Sequence, residues 1–177
     1  MIDLGKFSIV VLQLDDATSL NNLLLNNTER FQRFFPKTLA QNLNIKMSEE
    51  YILNKKLLIT TNEEYTLGLK EKISGDVIGL VIIKNINREI ADAEVAYCLG
   101  ENFGGKGLMT KAVNEIGRFA KEECHLKTLF ILAHKTNRPS IRVAEKTGYD
   151  WSETQLKSYT PVNESDALDM EKYVKTL

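Results

Sequence analysis

A cluster of glycines marks the part of this 177-residue chain where we first expect chemistry. Gly100, Gly104, Gly105 and Gly107 fall within eight consecutive residues, and a helix-like segment follows them directly. Glycine lets backbone N–H groups approach a phosphate closely, and the start of a helix adds a favourable partial charge. Lys106 adds a full positive charge. The cluster therefore predicts an anion-binding loop, with a flexible turn that uses glycine only for positive φ as the alternative.

Two common nucleotide-binding motifs do not fit this cluster. A Walker A loop needs Ser or Thr after Gly-Lys, but Gly107 follows Lys106. A dinucleotide fingerprint that used Gly105 and Gly107 would need a glycine at position 110, where the chain has Thr110. That fingerprint also comes early in a βαβ unit, whereas this cluster follows several consecutive strand-like segments. We therefore exclude both motifs.

A third pattern fits the cluster better. The run Asn102-Phe-Gly-Gly-Lys-Gly-Leu-Met-Thr-Lys-Ala-Val113 resembles the acetyl-CoA pyrophosphate loop of the GNAT superfamily of N-acetyltransferases. The signature of that loop, Arg/Gln-x-x-Gly-x-Gly/Ala, falls on positions 104 to 109. Gly107 matches the central glycine, while Gly104 and Met109 depart from the first and last signature residues.

Two flanking segments strengthen the resemblance. Upstream, Ala93-Glu-Val-Ala-Tyr-Cys-Leu99 resembles the splayed fourth strand of the superfamily. Downstream, Asn137-x-x-Ser140-x-x-Val143-x-Glu145-Lys146-x-Gly148-Tyr149 resembles its Asn-x-x-Ser-x-x-x-x-Glu-Lys-x-Gly-Phe motif. The three pieces have the expected order and spacing over residues 76 to 151. The loop and the Asn-x-x-Ser pattern most resemble the RimJ/RimL branch, whose better-known members acetylate N-terminal α-amines of proteins.

The resemblance implies a set of residues that bind the donor acetyl-CoA. Backbone N–H groups of the loop would contact the pyrophosphate, with Thr110 as a hydroxyl donor. The strand before the loop would hold the pantetheine arm and polarise the thioester carbonyl. Asn137 would lie near the same arm or only cap its helix. The predicted donor-binding residues are Tyr97, Cys98, Leu99, Gly104, Gly105, Lys106, Gly107, Leu108, Met109, Thr110, Asn137 and Ser140.

Two residues are candidates for catalysis. Glu94 alternates with Ala96 and Cys98 on one strand face, where small neighbours would leave its carboxylate accessible as a general base. The alternative is a strand glutamate paired with a cross-strand cation. Ser140 is the candidate acid near the sulfur, because many members of the superfamily carry a tyrosine where this chain has Ala144. Its alternative role is to satisfy backbone donors in the first turn of its helix.

The rest of the chain predicts an α/β fold with a mixed sheet and flanking helices, and the resemblance implies that the sheet is mostly antiparallel with splayed central strands. The predicted strands span residues 7–14, 65–72, 76–84, 91–99, 128–133 and 167–174, with a hairpin turn at Ser74-Gly75. The predicted helices span residues 18–26, 48–58, 108–124 and 138–147. Phe31, Phe34 and Phe35 form an aromatic cluster at the acceptor groove of the superfamily, and we expect two of them in the core. No linker interrupts residues 1–177, so we expect a single acetyltransferase domain.

Composition limits the partners. The net charge is −1, which argues against nucleic acid as the main partner, and no window is apolar enough to span a membrane. Cys98 and Cys124 show no metal-ligand spacing with the two histidines, so we expect no metal site and a reducing cytoplasm.

The predicted acceptor is a primary amine, either a protein N-terminus or a small amine such as an amino sugar, polyamine or antibiotic. A non-catalytic acyl-CoA-binding module is the other alternative, and the resembling branch also allows a homodimer.

Overall fold

Eight strands form a single sheet with helices on both faces in the computed structural model, which describes residues 1–162 and 164–177. The strands are β1 (Ile2–Asp3), β2 (Phe7–Val11), β3 (Tyr65–Glu71), β4 (Val77–Asn87), β5 (Asp92–Leu99), β6 (Thr128–Ala133), β7 (Asp150–Tyr159) and β8 (Leu168–Thr176). The helices are α1 (Ala17–Leu25), α2 (Thr28–Phe31), α3 (Pro36–Ala40), α4 (Ile45–Thr60), α5 (Leu108–Glu122) and α6 (Arg138–Lys146).

The centre of the sheet is splayed. The strand order is β1-β2-β3-β4-β5-β6-β8-β7, and β5 and β6 run parallel while the other neighbours are antiparallel. The β5–β6 ladder covers Asp92–Glu94 of β5 and ends where Glu94 pairs with Phe130. Beyond that pair β5 continues to Leu99 and β6 to Ala133 without pairing to each other. A gap therefore opens between the two strands, which confirms the predicted mixed, mostly antiparallel sheet with splayed central strands.

Both faces of the sheet carry a hydrophobic core. One face packs against α5 and α6 through buried residues such as Val81, Ile116 and Leu129. The other face packs against α1 and α4 through residues such as Leu20 and Leu80. Because β4 is covered on both sides, its first seven residues are all buried and form one apolar run. The two cores hold the splayed strands in place from opposite sides.

The elements predicted from the middle of the chain are confirmed. The strand over residues 128–133 has the predicted bounds, and the Ser74-Gly75 turn is present with Gly75 at φ +77°. Helix α6 begins after Asn137 and is followed by Gly148 at φ +77°. Within the described residues, none of the helices combines the length and the apolar character that a membrane span requires.

Two predicted bounds differ from the structure, and an edge strand was not predicted. Strand β2 ends at Val11, because the chain turns into a short 3₁₀ segment whose Asp16 carboxylate accepts a hydrogen bond from the Gln13 backbone N–H. Helix α1 begins at Ala17, one residue before its predicted start, with Asp16 as the N-cap. The edge strand β7 was not predicted, because nearly all its residues face solvent and show no apolar alternation.

Candidate functional site

The glycine-rich loop has the backbone geometry of an anion site. Gly105 and Gly107 have φ values of +75° and +73°, which other residues rarely adopt. Gly107 is the N-cap of α5 and has no capping side chain, and the first helical hydrogen bond is donated by Lys111. The N–H groups of the first turn, from Leu108 to Thr110, are therefore free for a ligand. Gly104 has an ordinary φ of −66° and does not need to be glycine for conformational reasons.

A cavity of about 640 Å³ extends from this loop along the gap between the splayed strands. The loop and the start of α5 line one part of it, and the aromatic residues around α2 line another. The end of β5 and the first turns of α6 form the walls between them. Except for Lys106, each predicted donor-binding residue lines this cavity. The structure thus brings together the end of β5, the glycine-rich loop and the start of α6. Tyr97 and Ser140, which are 43 residues apart in the chain, are in direct contact.

The side chain of Lys106 points away from the cavity. Its ammonium group donates a hydrogen bond to the backbone carbonyl of Asn102 over 3.1 Å, within the same loop. This contact closes the loop on itself. A role for Lys106 toward a pyrophosphate stays a prediction, and it would need this contact to break.

In the first turn of α6, hydrogen bonds hold both backbone groups of Ser140. The Asn137 side chain accepts a hydrogen bond from the Ser140 backbone N–H over 3.3 Å. The Tyr97 hydroxyl donates to the Ser140 backbone carbonyl over 2.9 Å. Burial raises the pKa of Tyr97 to about 12, so this donor keeps its proton at neutral pH. Asn137 therefore caps the helix and also lines the cavity, while the Ser140 hydroxyl is not used for capping.

Cys98 lines the cavity as an apolar wall rather than as a nucleophile. The side chain packs with the core on the α1 and α4 face. Burial raises the pKa of its thiol to about 12, so the thiolate is not populated at neutral pH. An acetyl-enzyme at Cys98 is therefore disfavoured.

Glu94 lies in the paired part of β5 and outside the cavity wall. Its carboxylate forms an ion pair with Lys84 at 3.0 Å across the strands and accepts a hydrogen bond from the Asn85 side chain over 2.8 Å. The expectation that small neighbours leave this carboxylate accessible is wrong, because Glu94 is only 8% exposed and its two partners cover it. The cross-strand cation considered as the alternative is present. The role of Glu94 as general base stays a prediction.

The substitution Glu94→Gln tests that role. If Glu94 is the base, we expect kcat to fall by about 10²-fold, the usual contribution of a positioned base, while the Kd for acetyl-CoA is unchanged. Lys84→Met is the matched control, because it removes the ion pair and leaves the carboxylate in place. Near-native kcat in both variants, with similarly lowered thermal unfolding midpoints, would assign Glu94 to the ion pair alone.

The aromatic cluster is divided between the core and the cavity. Phe31 and Phe35 pack with the core on the α1 and α4 face, which confirms the prediction that two of the three aromatic residues belong to the core. Phe34 instead stacks on His134, with ring centroids 5.8 Å apart, and lies 6.2 Å from the Tyr159 ring. All three phenylalanines line the cavity.

The cavity wall is cationic, which sequence reasoning missed. Arg30, Arg142 and Lys146 line it, and among the described residues no aspartate or glutamate does. The Arg30 guanidinium lies 3.4 Å from the Leu99 carbonyl at the end of β5. Arg142 and Lys146 are one turn apart on α6, and this spacing was the signal that could have identified them. Such a wall suits an anionic ligand.

The site has no metal-binding character in the part of the chain that the structure describes. No group of three or more histidine, cysteine, aspartate or glutamate side chains is close enough together to hold a metal ion.

Comparison with known proteins agrees with this geometry. The family described as acetyltransferase (GNAT) domain matches residues 7–150. YdaF of Bacillus subtilis (strain 168), named as a candidate ribosomal N-acetyltransferase, is 31% identical over 75 residues. That match covers 42% of this chain and 41% of YdaF, so the chain aligns with about two fifths of the length of this relative.

Two solved structures share the fold over nearly the whole chain. One is a ribosomal-protein alanine acetyltransferase from Vibrio fischeri, with a TM-score of 0.91 at 20% identity, covering 99% of this chain and 95% of the other. The second is RimL, a ribosomal-protein α-N-acetyltransferase in complex with coenzyme A. Its TM-score is 0.88 at 15% identity, covering 99% of this chain and 97% of the other. At these identities the likeness establishes the fold.

Proposed function

The chain belongs to the GNAT acetyltransferase family, whose members take the acetyl group from acetyl-CoA, and we propose that its acceptor is the α-amine of a protein or peptide N-terminus. The observation that carries this proposal is one continuous cavity that is lined both by an anion-binding helix start and by an aromatic cluster. A donor bound at the helix start and an acceptor bound at the aromatic cluster would meet in this cavity. We also propose that residues 1–177 act as one catalytic domain.

The donor would occupy the loop end of the cavity. The free N–H groups at the start of α5 would hold the pyrophosphate of acetyl-CoA, and Arg142 and Lys146 would add positive charge. The pantetheine arm would lie in the gap beyond the Glu94–Phe130 pair, where the edges of β5 and β6 do not pair with each other. Backbone groups of Tyr97 to Leu99 face this gap, and one of them would polarise the thioester carbonyl.

The chemistry would be a direct attack in a ternary complex. The neutral amine attacks the thioester carbonyl carbon, a C–N bond forms, and the tetrahedral intermediate collapses with cleavage of the C–S bond. Ser140 would pass the proton of the attacking nitrogen to the leaving sulfur, since its hydroxyl is not used for capping and its residue lines the cavity. The buried, neutral Cys98 thiol supports direct attack over an acetyl-enzyme.

The charge of the site favours an α-amine over a polyamine acceptor. An α-amine has a pKa of about 7.7–8.0, so a substantial fraction is neutral at pH 7 without a strong base. A polyamine stays cationic, and the cavity wall of the described residues offers it arginine and lysine but no carboxylate. The names of RimL and of the Vibrio fischeri protein, which both describe acetylation of ribosomal proteins, support a protein acceptor.

An acceptor panel tests this proposal. Purified protein is given acetyl-CoA with peptides that carry a free N-terminus, with the same peptides blocked at the N-terminus, and with polyamines and amino sugars. We expect release of CoA thiol with the free peptides and background rates with the blocked ones. Faster release with polyamines or amino sugars would contradict the proposed acceptor. Tight acetyl-CoA binding without turnover on any amine would instead identify a non-catalytic acyl-CoA module.

A further inference from the structure

His134 does not itself line the cavity, but it contacts two residues that do, Phe34 and Thr136, and none of the catalytic roles above uses it. The residue directly follows Ala133, the last residue of β6, in the part of the strand that has diverged from β5. Its backbone carbonyl accepts a hydrogen bond from the Asn137 N–H over 2.7 Å, which closes the turn into α6. The same short turn therefore links His134 to Ser140. His134 is 7% exposed.

The imidazole ring is held on two sides. Thr136 donates a hydrogen bond from its backbone N–H to Nδ1 over 3.3 Å, and its hydroxyl lies 2.7 Å from the same nitrogen. The ring also stacks on Phe34, with an interplanar angle of 24°. Both Thr136 and Phe34 line the cavity. His134 is thus fixed beside two residues that line the cavity.

The contacts at Nδ1 determine the tautomer. A backbone N–H can only donate, so Nδ1 must be the acceptor, and the single proton of the neutral ring is on Nε2. Within the described residues, the hydrogen bonds of this ring go to Nδ1 alone. Nε2–H is therefore a hydrogen-bond donor without a partner among the described residues.

Three charged side chains near Phe34 and the end of β6 have partners of their own. The Arg33 guanidinium lies over the Phe34 ring and binds Glu164, with Nε 2.8 Å from a carboxylate oxygen. On β8, Glu171 is the register partner of Ala133, and its carboxylate accepts hydrogen bonds from the Trp151 and Thr154 side chains. The next β8 residue, Lys172, lies over the Phe130 ring.

We propose that the Nε2–H group of His134 binds the carbonyl oxygen next to the acceptor amine, and so selects α-amines that carry a neighbouring carbonyl over simple alkylamines. This inference rests on the proposed function and names the chemical feature of the acceptor that the site would recognise. In an N-terminal residue the amine and the carbonyl oxygen are separated by the α-carbon and the carbonyl carbon. A hydrogen bond to that oxygen would orient the amine toward the thioester, and an alkylamine has no atom to accept it.

Two substitutions separate this donor role from packing. His134→Phe keeps an aromatic ring beside Phe34 and removes the donor, while His134→Gln supplies a side-chain N–H donor of similar reach. Each variant is compared with the native enzyme on a peptide with a free N-terminus and on a carbonyl-free alkylamine with the same side chain. Comparison on the same amine cancels the difference in amine pKa.

We expect His134→Phe to lower kcat/KM for the peptide by about tenfold or more and to leave any kcat/KM for the alkylamine within about twofold. His134→Gln should recover most of the loss. Native-like acetyl-CoA affinity and thermal unfolding would show that both variants fold.

Three results would overturn the proposal. The first is an equal kcat/KM of the native enzyme for both amines, and the second is an unchanged peptide rate in His134→Phe. The third is an equal loss of kcat/KM on both amines in His134→Phe with an altered pH profile, which would identify His134 as a base. Failure of the proposed function is a separate outcome, because the native enzyme would then acetylate no peptide at all.

Discussion

Gly107→Ala is expected to weaken acetyl-CoA binding by about tenfold or more, with a loss of stability of only about 1 kcal/mol. Gly107 has φ +73° and starts α5, so an alanine there strains the backbone whose N–H groups would hold the pyrophosphate. The residue also lines the cavity, and the strain relaxes only if the loop moves. Titration calorimetry with acetyl-CoA, together with thermal unfolding, measures both effects.

Gly75→Ala is the matched control for this prediction. Gly75 has φ +77° and no atom within 4 Å of an added Cβ, as is the case at Gly107, but it lies in the β3–β4 hairpin away from the cavity. The control should lose similar stability and keep its affinity for acetyl-CoA. An affinity of Gly107→Ala within twofold of the native value would contradict the assignment of the loop.

Ser140→Ala is expected to lower kcat by about 10²-fold, because the thiolate would then leave without a positioned proton donor. The backbone contacts of Ser140 to Asn137 and Tyr97 do not involve the hydroxyl, so the helix start and the Kd for acetyl-CoA should stay as in the native protein. Steady-state kinetics with saturating donor and peptide measure the change in kcat.

Ser74→Ala provides the control for the loss of a serine hydroxyl. Ser74 lies in the β3–β4 hairpin, and its hydroxyl donates to the Glu71 side chain over 3.0 Å. This variant should retain native kcat. If Ser140→Ala retains more than a third of the native kcat, the proton at the sulfur comes from another group or from water.

Local signals in the sequence predicted the elements that carry the donor side of the site. The run from Leu129 to Ala133 is apolar without interruption and predicts a buried strand, of which every second residue is fully buried, and Asn137 with Gly148 marks the limits of α6. The loop could be predicted because positive φ at Gly105 and Gly107 favours glycine at these positions, so this backbone geometry leaves a direct mark on the sequence. These features depend on neighbours in the chain.

The features that the sequence did not predict depend on contacts between distant segments. The burial of Glu94 follows from its pairing with Lys84 across the β4–β5 ladder, and no pattern around Glu94 encodes that partner. The role we infer for His134 requires Phe34, which is 100 residues away in the chain, and the divergence of β6 from β5. Strand β7 lies at the sheet edge with exposed residues, so it has no apolar period to detect.

The most direct test of the account is to find which nitrogen receives the acetyl group. The native protein is incubated with acetyl-CoA and a peptide that contains both a free N-terminus and one internal lysine, and the product is fragmented in a mass spectrometer. We predict one acetyl group on the α-nitrogen and one CoA thiol released for each peptide modified. Acetylation of the lysine alone, or no transfer to peptide while a small amine is acetylated, would contradict the account.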